Sequence, residues 1–186
     1  MLKDKIIDLL KSTKKEGIED LISYMEESGF FEAPCSGAFH LAKEGGLAEH
    51  SLNVYRTMFV LNEMFDANIE ESSLVISGLL HDLGKMGDFG KPNYVPNILK
   101  SGKVSDSKPW ETNKDLLYVP HEIRSIVIAE RFIPLTEDEE FAILYHNGMY
   151  SELKYSYSGK ETPLALILHF ADMWCARVTE IEKEEK

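Results

Sequence analysis

The sequence predicts an all-α fold, a single-domain helical bundle broken by one long irregular insertion around residues 86–118. Three observations predict it. Apolar residues recur at spacings of three and four almost throughout. Ser, Thr, Asn and Pro stand where helices should start. No segment shows the apolar–polar alternation of a convincing strand, and no internal repeat is visible. At 186 residues the chain suits one domain with a proper core.

Ile6, Ile7, Leu9 and Leu10 open a short first helix. Thr13-Lys14-Lys15-Glu16 has the spacing of a capping box and leads into Ile18, Leu21, Ile22 and Met25, a second helix ending near Gly29. Residues 30–46, with Pro34, Gly37 and Gly45-Gly46, read as a loop. A third helix should run from Leu47 to Phe65. Asn68-Ile69-Glu70-Glu71 fits another capping box, and the run Leu74–Leu80, continuing to Gly84, is apolar nearly all round, so it reads as a buried central helix. The glycines and prolines of 86–118 mark a segment of the length usually given to lids. Pro120 can open a helix to Arg131; Thr136-Glu137-Asp138-Glu139 caps another, ending near Gly148. Tyr150–Gly159 is a polar loop, Thr162-Pro163 opens the last helix, and the charged tail Glu180–Lys186 should fray. Trp174 on that helix reads as core.

Composition narrows the class. The net charge is −12 and Lys14-Lys15 is the only adjacent basic pair, so long duplex nucleic acid is excluded as a partner, while a small phosphate ester is not. Apolar runs such as Leu164–Leu168 fall far short of the roughly 20 residues that span a bilayer, so no membrane is expected. The charged N-terminus lacks the pattern of a secretory signal. Cys35 and Cys175 lie far apart with no Cys-x-x-Cys spacing, which fits a reducing cytoplasm and speaks against a thiolate metal site.

Chemistry concentrates at His81-Asp82, at the end of the buried run. A carboxylate beside an imidazole next to an apolar helix is costly unless neutralised. A divalent cation would do so, with Mn, Fe, Zn, Co and Ni all compatible with mixed His/Asp ligands; a hydrogen-bonded His/Asp pair at a helix end is the plainer account. Other histidines stand at 40, 50, 121, 146 and 169.

The order His50, His81-Asp82, Asp172 resembles the H…HD…D signature of the HD superfamily of metal-dependent phosphohydrolases. Phe39-His40-x5-Gly46-Leu47-x2-His50, Leu79-Leu80-His81-Asp82-Leu83-Gly84-Lys85 and His169-Phe170-Ala171-Asp172 resemble the family's flanking contexts. The likeness covers residues 38–180 and leaves 1–30 as accessory helices. It is nearest to small bacterial and phage HD hydrolases, and more distant to the HD domain of a bacterial 3'–5' exoribonuclease.

The resemblance implies a metal held by His50, His81, Asp82 and Asp172. Where two-metal members carry consecutive histidines, this chain has His146-Asn147, which implies one tight ion with room for a weaker second. Such an ion lowers the pKa of a bound water to about 7 and steadies phosphoryl oxygens. Asp82 could reach both metal and water. Lys85 is a candidate phosphate contact or a surface lysine. His121 and His146 could bind phosphate or protonate the leaving oxygen, or simply pack. His40 could line the pocket mouth, support a ligand or pack; His169 could support Asp172 or pack. Arg124, one turn after His121, could grip phosphate or form a surface ion pair. Trp110 and the tyrosines at 94, 118, 150, 155 and 157 could stack on a base or anchor loops.

The expected activity is hydrolysis of a phosphomonoester or phosphodiester, of a nucleotide or short oligonucleotide. The alternatives are a non-catalytic nucleotide- or metal-binding sensor, a 3'–5' exonuclease and a purely structural bundle. Self-association is left open.

Overall fold

The computed structural model describes residues 1–151 and 153–181. Eight helices occupy the described residues: α1 Leu2–Ser12, α2 Ile18–Glu27, α3 Gly46–Phe65, α4 Glu71–Leu80, α5 His121–Glu130, α6 Glu137–Leu144, the single turn α7 Lys154–Tyr157, and α8 Pro163–Trp174. No helix among them is long and apolar enough to cross a membrane.

α4 is the hub, as its composition predicts. Every side chain from Leu74 to Leu80 is buried, and α1, α3, α6 and α8 pack around it. The approach of α3 is close because Gly78 has no side chain; a Cβ there would lie 2.8 Å from the Tyr55 backbone. Ile6, Leu10, Leu21 and Met25 bring the N-terminal helices into the same core. Burying this much apolar surface is the main stabilising term, at roughly 25 cal/mol per Å² removed from water.

The helix starts test the capping reading. Thr136 and Glu139 form the predicted box, and Glu139 also accepts from Ser73 and from Lys15 of the α1–α2 turn. Thr162 caps α8. The other two boxes do not form. Thr13 ends α1, and the backbone instead enters α2 through Gly17 in the left-handed region. Asn68 likewise turns back to Asp66, leaving Glu70 as the residue before α4. In both cases a tight turn claims the residue before the helix begins. α6 stops at Leu144, four residues before the expected end.

The insertion is more ordered than its composition suggests. It carries two antiparallel hairpins, β1 Gly87–Asp88 with β2 Lys91–Pro92, and β3 Tyr94–Pro96 with β4 Trp110–Thr112. Strands of two or three residues are too short to show alternation, and Pro92 and Pro96 are tolerated because no further strand needs their missing N–H. Trp110 Nε1 donates to the Ala42 carbonyl at 3.1 Å, so its indole anchors the insertion to the 30–45 loop.

Asp88 ties the insertion to the bundle. Its carboxylate accepts from Tyr24 of α2 at 2.7 Å and from both Arg131 terminal nitrogens at 2.9 and 2.6 Å. Burial alone would raise the Asp88 pKa, but the Arg131 and Tyr24 hydrogen bonds outweigh it and bring it from 3.8 down to about 2. A carboxylate depressed in this way contributes fully above the unfolded value and loses its contribution as pH falls through the folded one. We predict that Asp88→Asn destabilises the protein by about 1.5–3 kcal/mol at neutral pH. In thermal melts its deficit should stay constant above about pH 4 and narrow toward pH 2. A deficit that did not change with pH would show that Asp88 acts only through packing.

Candidate metal centre

Five helices deliver the predicted histidines and carboxylates to one place. His50 lies on the buried face of α3, and His81-Asp82 follow the last turn of α4. Gly84 lets the chain pass directly under α5: a Cβ there would meet the His121 carbonyl at 2.4 Å, and its N–H donates to Ser125 Oγ at 2.8 Å. His121 opens α5, His146 lies just past α6, and Asp172 faces inward from α8.

The imidazoles are oriented by their outer nitrogens. His81 Nδ1 lies 3.0 Å from the Gly78 carbonyl and His146 Nδ1 lies 2.7 Å from the Ile143 carbonyl. A carbonyl can only accept, so each Nδ1 carries a proton and each ring turns its Nε2 inward, where it offers a lone pair to a cation. His50 does the same through Glu180, whose Oε2 lies 2.8 Å from its Nδ1. His169 Nδ1 donates to the His146 carbonyl at 2.8 Å, so it supports His146 rather than Asp172.

Two donor sets result, joined by Asp82. In the first, His50 Nε2 is 3.1 Å from Asp172 Oδ1, 3.3 Å from His81 Nε2 and 3.6 Å from Asp82 Oδ2. In the second, Asp82 Oδ1 lies 3.2 Å from His121 Nε2 and 3.6 Å from His146 Nε2, and those two nitrogens are 3.3 Å apart. Asp82 Oδ1 is buried and accepts no hydrogen bond. Inward lone pairs facing one another at this range repel unless a cation stands between them. Donors about 3 Å apart are also what an ion with bonds of roughly 2.0–2.2 Å requires. The donor set therefore fits a divalent ion.

Charge agrees. Burial opposes ionisation of Asp82 and Asp172, yet Lys85 beside the first and His50 beside the second hold both carboxyls well below the usual range. Burial also opposes a charged His50, but Cys35, Asp172 and Glu180 outweigh it, so this ring readily accepts positive charge. His146 is different: burial, then the neighbouring His81, lowers it to about 3, so it is a neutral donor at pH 7.

The remaining expectations divide. Lys85 Nζ sits 2.6 Å from Asp82 Oδ2 at the edge of a cleft of about 890 Å³, which His40, His146 and Asp172 also line. Arg124 is not there. Its guanidinium donates to the Leu117 carbonyl at 2.7 Å and lies 3.5 Å from Asp88, because the insertion claims it first. Trp174 is not core; it is 55% exposed, on the outer face of α8. Tyr150 lines the cleft and carries Arg177 over its ring, whereas Tyr157 is buried.

Two groups were missed. Glu180 does not fray: it holds His50 at Nδ1 and takes Asn53 Nδ2 at 3.0 Å. The rest of the expected tail, 182–186, lies outside the described residues. Eight residues after Asp172 is not the same face of an ideal helix, so spacing gave no signal for Glu180. The second is Cys35, which the absence of a Cys pair had set aside. It packs with its Sγ 3.2 Å from His40 Nε2, in a donor group with His50.

The HD domain family matches residues 47–176. The chain belongs to the HD-domain family. A dihydroneopterin 2',3'-cyclic phosphate phosphodiesterase of Methanocaldococcus jannaschii is 33% identical over 90 residues, covering 45% of this chain and 34% of the relative. The chain thus spans about a third of the length of that curated relative. No solved structure matches it significantly.

A carboxylate that fixes a ligand histidine is worth about 10–100-fold in metal affinity. We predict that loss for Glu180→Ala in metal-buffered dialysis, with Glu180→Gln, which still accepts from Nδ1, falling between. Unchanged affinity in Glu180→Ala would remove Glu180 from the centre.

Proposed function

We propose that this HD domain is a metal-dependent phosphohydrolase, with one tightly held divalent ion at His50, His81, Asp82 and Asp172. The observation that carries the reading is the convergence of four histidine Nε2 atoms on the Asp82 carboxylate, beside a cleft that Lys85, His146 and Asp172 line. A bound ion of this class supplies a water of lowered pKa and offsets negative charge on phosphoryl oxygens. Manganese, iron, cobalt, nickel and zinc all suit mixed imidazole and carboxylate donors.

The chain's own groups divide the remaining work. Asp82 stands between the two donor sets and can take the proton of the attacking water at Oδ1, which has no other partner. Lys85 offsets that carboxylate and is within reach of a substrate phosphate. His121 is the better proton donor to the leaving oxygen, because it is partly exposed while His146 is buried and kept neutral. His146, with His81 and Asp82, also makes a second donor set suited to a weaker ion, and His121 Nε2 lies 3.2 Å from the same Asp82 carboxylate. His40 would meet the substrate at the cleft wall.

The substrate class we favour is a small nucleotide-like phosphodiester. A cleft of about 890 Å³ exceeds what a bare phosphate ester needs and falls in the range of cofactor-sized ligands. The activity named for the archaeal relative, on a cyclic phosphate, points the same way.

We predict turnover of 2',3'-cyclic nucleotides or of bis(4-nitrophenyl) phosphate by the manganese- or cobalt-loaded protein. Asp82→Asn and His81→Ala should each lower kcat/KM by at least about 100-fold, on the order of 3 kcal/mol in barrier height. Arg124→Lys should act mainly on stability. Nucleotide binding without turnover by any loaded form would instead favour a sensor.

A further inference from the structure

Outside the two donor sets already described lies a third, built around sulfur. Cys35 is fully buried, and its Sγ is 3.2 Å from His40 Nε2. The His40 ring packs on the His50 ring at 4.9 Å between centroids. One ligand atom from each of the three residues lies within 4.8 Å of the others. With zinc–sulfur bonds of about 2.3 Å and zinc–nitrogen bonds of about 2.0–2.1 Å, tetrahedral donors stand about 3.5 Å apart. The Cys35–His40 pair needs only a few tenths of an ångström of adjustment. His40 lines the cleft, which gives an ion its route in and an open position once bound.

We propose that Cys35, His40 and His50 form a separate site for a thiophilic ion, zinc or cadmium, whose occupation empties the main centre. Two features set its behaviour. The first is softness: a thiolate selects zinc-like ions, whereas the carboxylate-rich centre around Asp82 and Asp172 also accepts manganese or iron. The second is the shared ligand. His50 is engaged on both sides, by Glu180 at Nδ1 and Asp172 at Nε2, so lending Nε2 to Cys35 and His40 takes it from the main ion, and lending Nδ1 breaks the Glu180 contact that aims Nε2 at that ion. On binding, the Cys35 S–H bond is replaced by a sulfur–metal bond and the proton passes to solvent; no oxidant is involved. The His40–Cys35 contact is then the resting state of an inhibitory site.

The inference rests on reading His50 as a ligand of the main ion. Its test uses no substrate, so a chain without hydrolase activity would still decide it. Manganese-loaded full-length protein is titrated with cadmium chloride. Ultraviolet absorption follows the cadmium–thiolate charge-transfer band, and electron paramagnetic resonance follows released manganese. We expect one thiolate band per chain, saturating at one equivalent, with manganese released in step. Both signals should vanish in Cys35→Ala and persist in Cys175→Ala, and Cys35→Ala should bind manganese as the unaltered chain does. If Cys35→Ala folds poorly, Cys35→Ser, which keeps the volume but not the thiolate, should lose the band alike. A band that survives loss of Cys35, no band at all, or a band with all manganese retained would each overturn the proposal.

Discussion

An imidazole whose Nδ1–H is held by a fixed acceptor has no freedom over where its Nε2 lone pair points. The structure applies that constraint three times, through the Gly78 carbonyl, the Ile143 carbonyl and Glu180. Two of these acceptors are backbone groups at the last turns of α4 and α6, which a helix leaves without an internal partner. The helix ends thus orient these histidines, and the packing of α3 and α8 on α4 sets how far apart they stand. Gly78 and Gly84 matter for the same reason: each removes a side chain where two backbones must nearly touch.

The second organising feature is charge. In a chain of net charge −12, Asp82, Asp172 and Glu180 gather around rings that are neutral or readily take a proton, with Lys85 beside them. Two arginines turn elsewhere: Arg124 and Arg131 face Asp88 and hold the insertion against the bundle. One carboxylate therefore draws guanidinium groups away from the place where a cation is wanted. The insertion's position depends on that same carboxylate, which couples the cleft wall to α2 and α5.

Much of this was legible in the sequence, and the exceptions have physical causes. The helical period and the apolar run at Leu74–Leu80 gave the bundle and its central helix. The four residues His50, His81, Asp82 and Asp172 do come together, because each ends or faces a helix that the periodicity located. Of the two readings of Arg124 the structure shows the ion pair, but buried, because helical spacing from His121 says nothing about a partner 36 residues earlier, Asp88, that competes for the guanidinium. Glu180 was hidden by a charged C-terminal composition that usually means solvated chain. A widened π turn at Cys175–Thr179 carries it back toward His50, and no local sequence rule places such a turn. The hairpins in 87–112 escaped notice because strands so short have no period. Cys35 escaped because a search for paired cysteines overlooks one cysteine paired with imidazoles.

The account stands on a cation between the inward nitrogens. Its most direct test is anomalous X-ray diffraction at the absorption edge of the metal found in protein purified without chelator. The predicted result is a peak within bonding distance of His50 Nε2, His81 Nε2 and a carboxylate oxygen each of Asp82 and Asp172. Electron density showing those four groups bonded to one another, with no anomalous peak even after soaking in manganese or cobalt, would contradict it.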